Sequence, residues 1–125
     1  MLKVTEIAFS CYPVTDMPRA RKFYEGVLSL KPTMVTGEPG GMQFTEYDIA
    51  NGTLALGAGA PDWKPRSDGC SVGLEVDDFD VAIAHLRANG VKFKMEPFPT
   101  PVCRMAFIYD PDGNTICIHK RNAGR

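Results

Sequence analysis

The chain has no CxxC pair, no run of basic residues, no apolar stretch of membrane-spanning length and no glycine-rich phosphate loop. Each lack removes a class of protein. The four cysteines, Cys11, Cys70, Cys103 and Cys117, stand far apart. They spell out neither a thiol redox motif nor a zinc ribbon and read as reduced thiols packed like small apolar residues. A net charge of −1 over 125 residues gives no sign of attraction to nucleic acid or an anionic membrane surface. The opening Met1-Leu2-Lys3-Val4-Thr5-Glu6 lacks the apolar core of a signal peptide, so the expected location is cytoplasmic. No Ser-His-Asp order with a nucleophile elbow occurs, and no helix carries paired carboxylates.

What is present is ordinary for a globular chain: 44% apolar and 23% charged residues. The length fits one domain or two small modules, and folding at this size hides roughly two-thirds of the unfolded surface. No staple by disulfide or metal is required for stability.

Two halves read alike. Val14-Thr15-Asp16-Met17 and Val76-Asp77-Asp78-Phe79 are offset by 62 residues, and each follows a strand-like segment, 7–12 and 71–76. Asp16 and Asp78 sit where an N-cap accepts the free N–H groups of a helix start, and Pro18 falls in the first turn, where a missing N–H costs nothing. The first helix is expected through 19–25, with Ala20, Phe23, Tyr24 and Val27 as its apolar stripe. The second is expected over 79–88, with Phe79, Ile83 and Leu86 buried and Asn89-Gly90 as a left-handed stop. Strand signals then cover 32–36, 42–49 and 53–56 in the first half, with turns at 37–41 and at Asn51-Gly52. In the second half they cover 91–95, 102–109 and 115–119. The pattern is β-α-β-β-β twice, an α+β chain joined by a glycine- and proline-rich connector, 57–69, that contains Trp63. Module one is expected at about 1–58 and module two at about 70–121. Helices on one side of each sheet leave the opposite faces for each other or for a ligand.

Val14-Thr15-Asp16-Met17, Arg19-Ala20, Phe23-Tyr24 and Gly26-Val27-Leu28 resemble the first helix signature of the vicinal oxygen chelate (glyoxalase / bleomycin-resistance / dioxygenase) superfamily. Glu75-Val76-Asp77-Asp78 resembles its second-module opening. Asp110-Pro111-Asp112-Gly113-Asn114-Thr115, followed by Ile116-Cys117-Ile118, resembles its last hairpin. The landmarks span nearly the whole chain in the family's order, with one departure: Ser29 stands where a glycine is usual after the first helix. The resemblance implies two βαβββ modules forming an open cup of mixed sheet, with the helices outside. It also implies pairing into homodimers, with modules swapped between chains or not.

Members of the family that do chemistry hold a divalent metal with His, Gln or Glu on the first strand of each module and Glu or His on the last. Carried over by distance from the landmarks, those positions hold Phe9, Ser71 and Cys117, and the stretch between Gly52 and Ala60 contains no His, Asp, Glu, Cys or Gln. A phenyl ring offers no donor, and a hydroxyl is a poor ligand for a divalent ion. No metal and no cofactor is expected. A Cys11, Cys117 and His119 set is an alternative zinc site; the plainer reading makes these cysteines strand fillers.

The expected ligand pocket therefore draws on the cup wall: Phe9, Cys11, Tyr47, Ser71, Glu75, Arg104, Cys117 and His119. Phe9, Tyr47, Trp63, Phe107 and Tyr109 offer π surface, about half of them serving the core instead. Arg104 interrupts the apolar run 102–109 and either reaches water at an edge or waits for an anion. Glu75 is expected on the cup side, facing a ligand or paired with Arg104 or a lysine. His119 is either an acid–base group or a solvated residue near the chain end. Two functions follow from the resemblance. One is a metal-free protein that binds or sequesters a small, partly aromatic molecule. The alternative is a metal-dependent lyase, isomerase or dioxygenase with atypical ligands.

Overall fold

Asp16 and Asp78 perform the same task in a computed structural model, which describes residues 1–123. Each lies in extended backbone, and its carboxylate accepts the N–H of the third residue on, Arg19 at 3.0 Å and Val81 at 3.1 Å. Such caps each contribute about 1 kcal/mol. They start α1, Met17–Arg21, and α2, Phe79–Ala88. The second helix has the bounds expected from its stripe and buries Phe79, Ile83 and Leu86.

The first helix differs from the expectation. It begins two residues earlier and widens into a π-helical segment, Lys22–Val27, in which the Leu28 N–H reaches back five residues to the Phe23 carbonyl at 3.0 Å. The wider turn keeps Phe23 and Tyr24 buried. Pitch changes of this kind leave the apolar stripe in the sequence intact, so periodicity alone does not reveal them.

The chain divides into two compact units, the first Met1–Pro65 and the second from Arg66 onward. In the first, β1 (Ser10–Pro13), β2 (Met34–Gly37), β3 (Gln43–Ile49) and β4 (Gly52–Ala58) form a sheet of order β1-β4-β3-β2, with β1 parallel to β4 and the other pairs antiparallel. In the second, β5 (Val72–Glu75), β6 (Phe93–Pro99), β7 (Cys103–Tyr109) and β8 (Thr115–Arg121) repeat that order as β5-β8-β7-β6. Each unit is thus βαβββ, and the whole is the α+β glyoxalase/bleomycin-resistance fold. β1 is shorter than the expected 7–12 and starts at Ser10; residues before it carry no strand pairing.

Alternation sorts each sheet into two faces. In unit one the helix covers Tyr12, Thr45, Tyr47, Leu54 and Leu56, all buried. Tyr24 stacks on Tyr47 with ring centroids 6.2 Å apart, and the Thr45 hydroxyl donates to Met17 Sδ at 3.4 Å. In unit two Ala106, Ile108, Ile116 and Ile118 form the matching layer. Fully buried Leu56, Ile108 and Ile116 each contribute about 1.5–3 kcal/mol by leaving water.

The hairpin joining β3 and β4 is one residue out of its expected place. Ile49 pairs with Gly52, so Ala50 and Asn51 form the turn, and Ala50 takes φ +51°. The last turn is as the sequence reads. Asp110 Oδ1 accepts the N–H groups of Asp112 at 2.8 Å and Asn114 at 2.9 Å, while Gly113 takes φ +85°.

Candidate functional site

The faces turned away from the helices carry the residues able to do chemistry. In unit one the cross-strand row Cys11–Ala55–Glu46–Met34 lies on this open face, beside the row Pro13–Gly57–Phe44–Thr36. Small side chains at Ala55 and Gly57 lower the floor, and Trp63 from the connector lies over Gly57. Phe9 meets Phe44 edge-on with centroids 5.9 Å apart. Phe9 and Trp63 are half exposed, at 50% and 42%. Burial pushes the Cys11 thiol up to about 11, with the Glu46 carboxylate adding to the shift, so the thiol stays protonated at neutral pH.

In unit two the open face holds the row Gly73–Cys117–Phe107 and, one step along, Glu75–His119–Met105. His119 Nδ1 lies 2.6 Å from Glu75 Oε1, and the Arg121 N–H donates to Glu75 Oε2 at 2.8 Å. Burial raises the Glu75 pKa, but the Arg121 N–H and His119 outweigh it and hold the carboxyl below its ordinary range. Glu75 is therefore ionised at neutral pH. Its partners are His119 and Arg121, not the arginine or lysine expected; Arg121 Nη1 lies 3.7 Å from Oε1.

Two expected pocket residues lie elsewhere. Tyr47 is fully buried under the helix and donates its hydroxyl hydrogen to Glu25 Oε2 at 2.9 Å. Its position in β3 puts it on the odd-numbered, helix-covered face. Arg104 lies on the helix side of β7, stacked 4.5 Å over the Phe79 ring and paired with Asp80 at 2.8 Å. Its guanidinium is half exposed and already paired with a carboxylate, so it is not waiting for an anion. Ser71 is exposed and precedes β5. Phe9 and Cys11 share the open face of unit one, and Cys117 and His119 that of unit two, with His119 half-buried beside Glu75.

Sequence reasoning passed over Phe44 and Glu46 on this face, although alternation from the buried Thr45 would have found both. It also missed a groove of about 370 Å³ in unit one, on the helix side, bordered by Met17, Arg21, Glu25, Val35, Gln43 and Thr45. There Arg21 Nε lies 2.6 Å from Glu25 Oε2.

Among the described residues, no group of three or more His, Cys, Asp or Glu side chains gathers to hold a metal ion. The donor chemistry at the carried-over positions also does not fit a divalent metal. The Cys117 thiol is pushed up by burial and by Cys103, whereas a metal needs the thiolate. Phe9 packs its ring against Phe44 and has no donor atom to offer.

The model of the Glyoxalase/Bleomycin resistance protein/Dioxygenase superfamily matches residues 5–118, and the chain belongs to that family. It is similar to TnmS3, an antibiotic binding protein from Streptomyces sp. CB03234, with TM-score 0.80 at 24% identity over 98% of this chain and 100% of that one. It is also similar to a glyoxalase/bleomycin resistance protein from the same organism, with TM-score 0.73 at 27% identity over 90% and 98%. The fosfomycin resistance protein FosX from Mesorhizobium loti shares the fold, with TM-score 0.71 at 17% identity over 94% and 92%. No curated protein matches the chain.

Proposed function

We propose that the protein binds a small, partly aromatic organic molecule without a metal, on the sheet faces turned away from its helices. The observation that carries this reading is the aromatic cluster of Phe9 and Phe44 on the open face of unit one, where Phe9 stands at a position that holds a metal ligand in the family's enzymes. In unit one Phe9, with Phe44 and Trp63, offers apolar and π surface beside the Glu46 carboxylate; in unit two the Glu75–His119 pair offers polar contacts beside Met105 and Phe107. Similarity to an antibiotic binding protein supports the binding of a small organic molecule. Bleomycin itself is cationic, and a net charge of −1 gives no special attraction for it.

Elemental analysis of protein purified without chelator tests the metal-free reading. Well under one equivalent of transition metal is expected. Near one equivalent, or turnover of a methylglyoxal–glutathione adduct, would replace it with a metal-dependent lyase, isomerase or dioxygenase. The four free thiols suit a reducing cytoplasm. The exposed strand β2 at the end of its sheet suits a homodimer, which light scattering at varied concentration measures.

A further inference from the structure

We infer that the Glu75–His119 pair is a proton acceptor for an acidic hydroxyl of the bound molecule, a phenol or enol. The inference rests on the binding reading above and names the ligand class for unit two. Glu75 is ionised and can only accept hydrogen bonds, so the 2.6 Å contact requires the proton of a neutral His119 to sit on Nδ1. That leaves the Nε2 lone pair as an acceptor. The carboxylate is itself held from behind by the Arg121 N–H at 2.8 Å, which fixes the imidazole plane at second hand.

The surroundings suit a flat hydroxyl-bearing ring. Met105 pairs with His119 across the sheet, and Phe107 stands one row along on the same face. A Cβ at Gly73 would meet nothing within 4 Å, so the sheet is open beside the pair. The other ionisable groups that alternation puts on this face of β7 and β8 are Cys117 and Arg121 on β8 and Cys103 and Tyr109 on β7; β7 sets only the neutral Met105 opposite His119. Cys117 stays protonated because burial and Cys103 raise its pKa, so it is not the base. A carboxylic acid would arrive as an anion and meet the Glu75 carboxylate. A phenol or enol arrives neutral, its O–H bond breaks, and the proton forms an N–H bond at Nε2. The product is an imidazolium held between Glu75 and the ligand oxyanion, and nothing is oxidised or reduced.

3-Nitrophenol and 3-nitroanisole, which differ in the hydroxyl, test this by titration into the whole protein at about pH 7, where the free phenol is neutral and a free imidazole is mostly unprotonated. The phenol is expected to bind about tenfold more tightly than the ether, and the bound phenol to develop the visible phenolate band. In His119→Gln and in Glu75→Gln the preference should fall to about twofold or less, and the band should disappear. Equal binding of the two probes by the natural protein, or a preference retained in both variants, overturns the inference and leaves the binding function standing. Binding of neither probe overturns both.

Discussion

Trp63 occupies the space that a side chain at Gly57 would need: a Cβ there would fall 2.7 Å from Trp63 Cζ3. The glycine in β4 and the aromatic ring in the connector are one device, a flat indole seated on a notch in the open face. Gly57→Ala must therefore displace the ring or the strand. An overpacking cost of about 1–3 kcal/mol is expected. Because Trp63 is the sole tryptophan, its emission maximum reports the displacement directly. An unshifted spectrum with unchanged stability would mean that the ring does not rest there in solution.

Tyr47 and Glu25 tie the sheet to the π-helical segment, and their pH behaviour has two signs. Burial raises the Glu25 pKa, but Arg21 and Tyr47 outweigh it and hold it low. Its contribution is thus present above the ordinary carboxylate pKa and is lost as pH falls through the lower folded value. Burial and Glu25 push the Tyr47 pKa above the ordinary tyrosine value. That contribution is present below the ordinary value and is lost as pH rises through the raised one. Tyr47→Phe should cost about 1–2 kcal/mol near neutrality, abolish the alkaline loss and reduce the acid loss. Urea denaturation at acid, neutral and alkaline pH separates these effects.

The closing turn gathers three acceptor contacts on one buried carboxylate. Asp110 Oδ1 receives the two backbone N–H groups, and Asp110 Oδ2 receives Asn114 Nδ2 at 2.9 Å. Asp110 is only 4% exposed. Asp110→Ala leaves those donors without that acceptor, and a loss of about 3 kcal/mol is expected. Asp110→Asn keeps one acceptor oxygen and should fall between the two. Thermal melting of the three proteins gives the order.

Elements with local chemistry were legible in the sequence. The N-caps Asp16 and Asp78, the stop at Gly90 (φ +72°) and the Asp110–Asn114 turn all lie where short-range rules put them. The sheet faces were legible where alternation was counted from a residue of known side, as for Cys117 and His119. Tyr47 was misplaced because an aromatic residue on a strand suits either face, and only its tertiary partner Glu25 shows which. Arg104 left two readings open because its partner, Asp80, is 24 residues away on α2. The Glu75–His119 contact joins residues 44 apart through a parallel pairing that no local signal announces.

Ser29 carries a cost that one substitution should remove. It follows the π-helical segment in a left-handed conformation, φ +61°, which a Cβ disfavours by about 1–2 kcal/mol. Glycine escapes that penalty but gives up more chain entropy on folding, roughly 0.5–1 kcal/mol. The steric term is larger, so Ser29→Gly should stabilise the protein by about 0.5–1 kcal/mol. Ala50, at φ +51° in a two-residue hairpin turn, should respond in the same direction to Ala50→Gly. As a control, glycine at exposed Ala84 in α2 should destabilise by about 1 kcal/mol, because there the entropy cost stands alone. Denaturant midpoints for the three variants measure the difference in sign. A loss of stability at Ser29 equal to that at Ala84 would show that the left-handed residue carries no strain in solution.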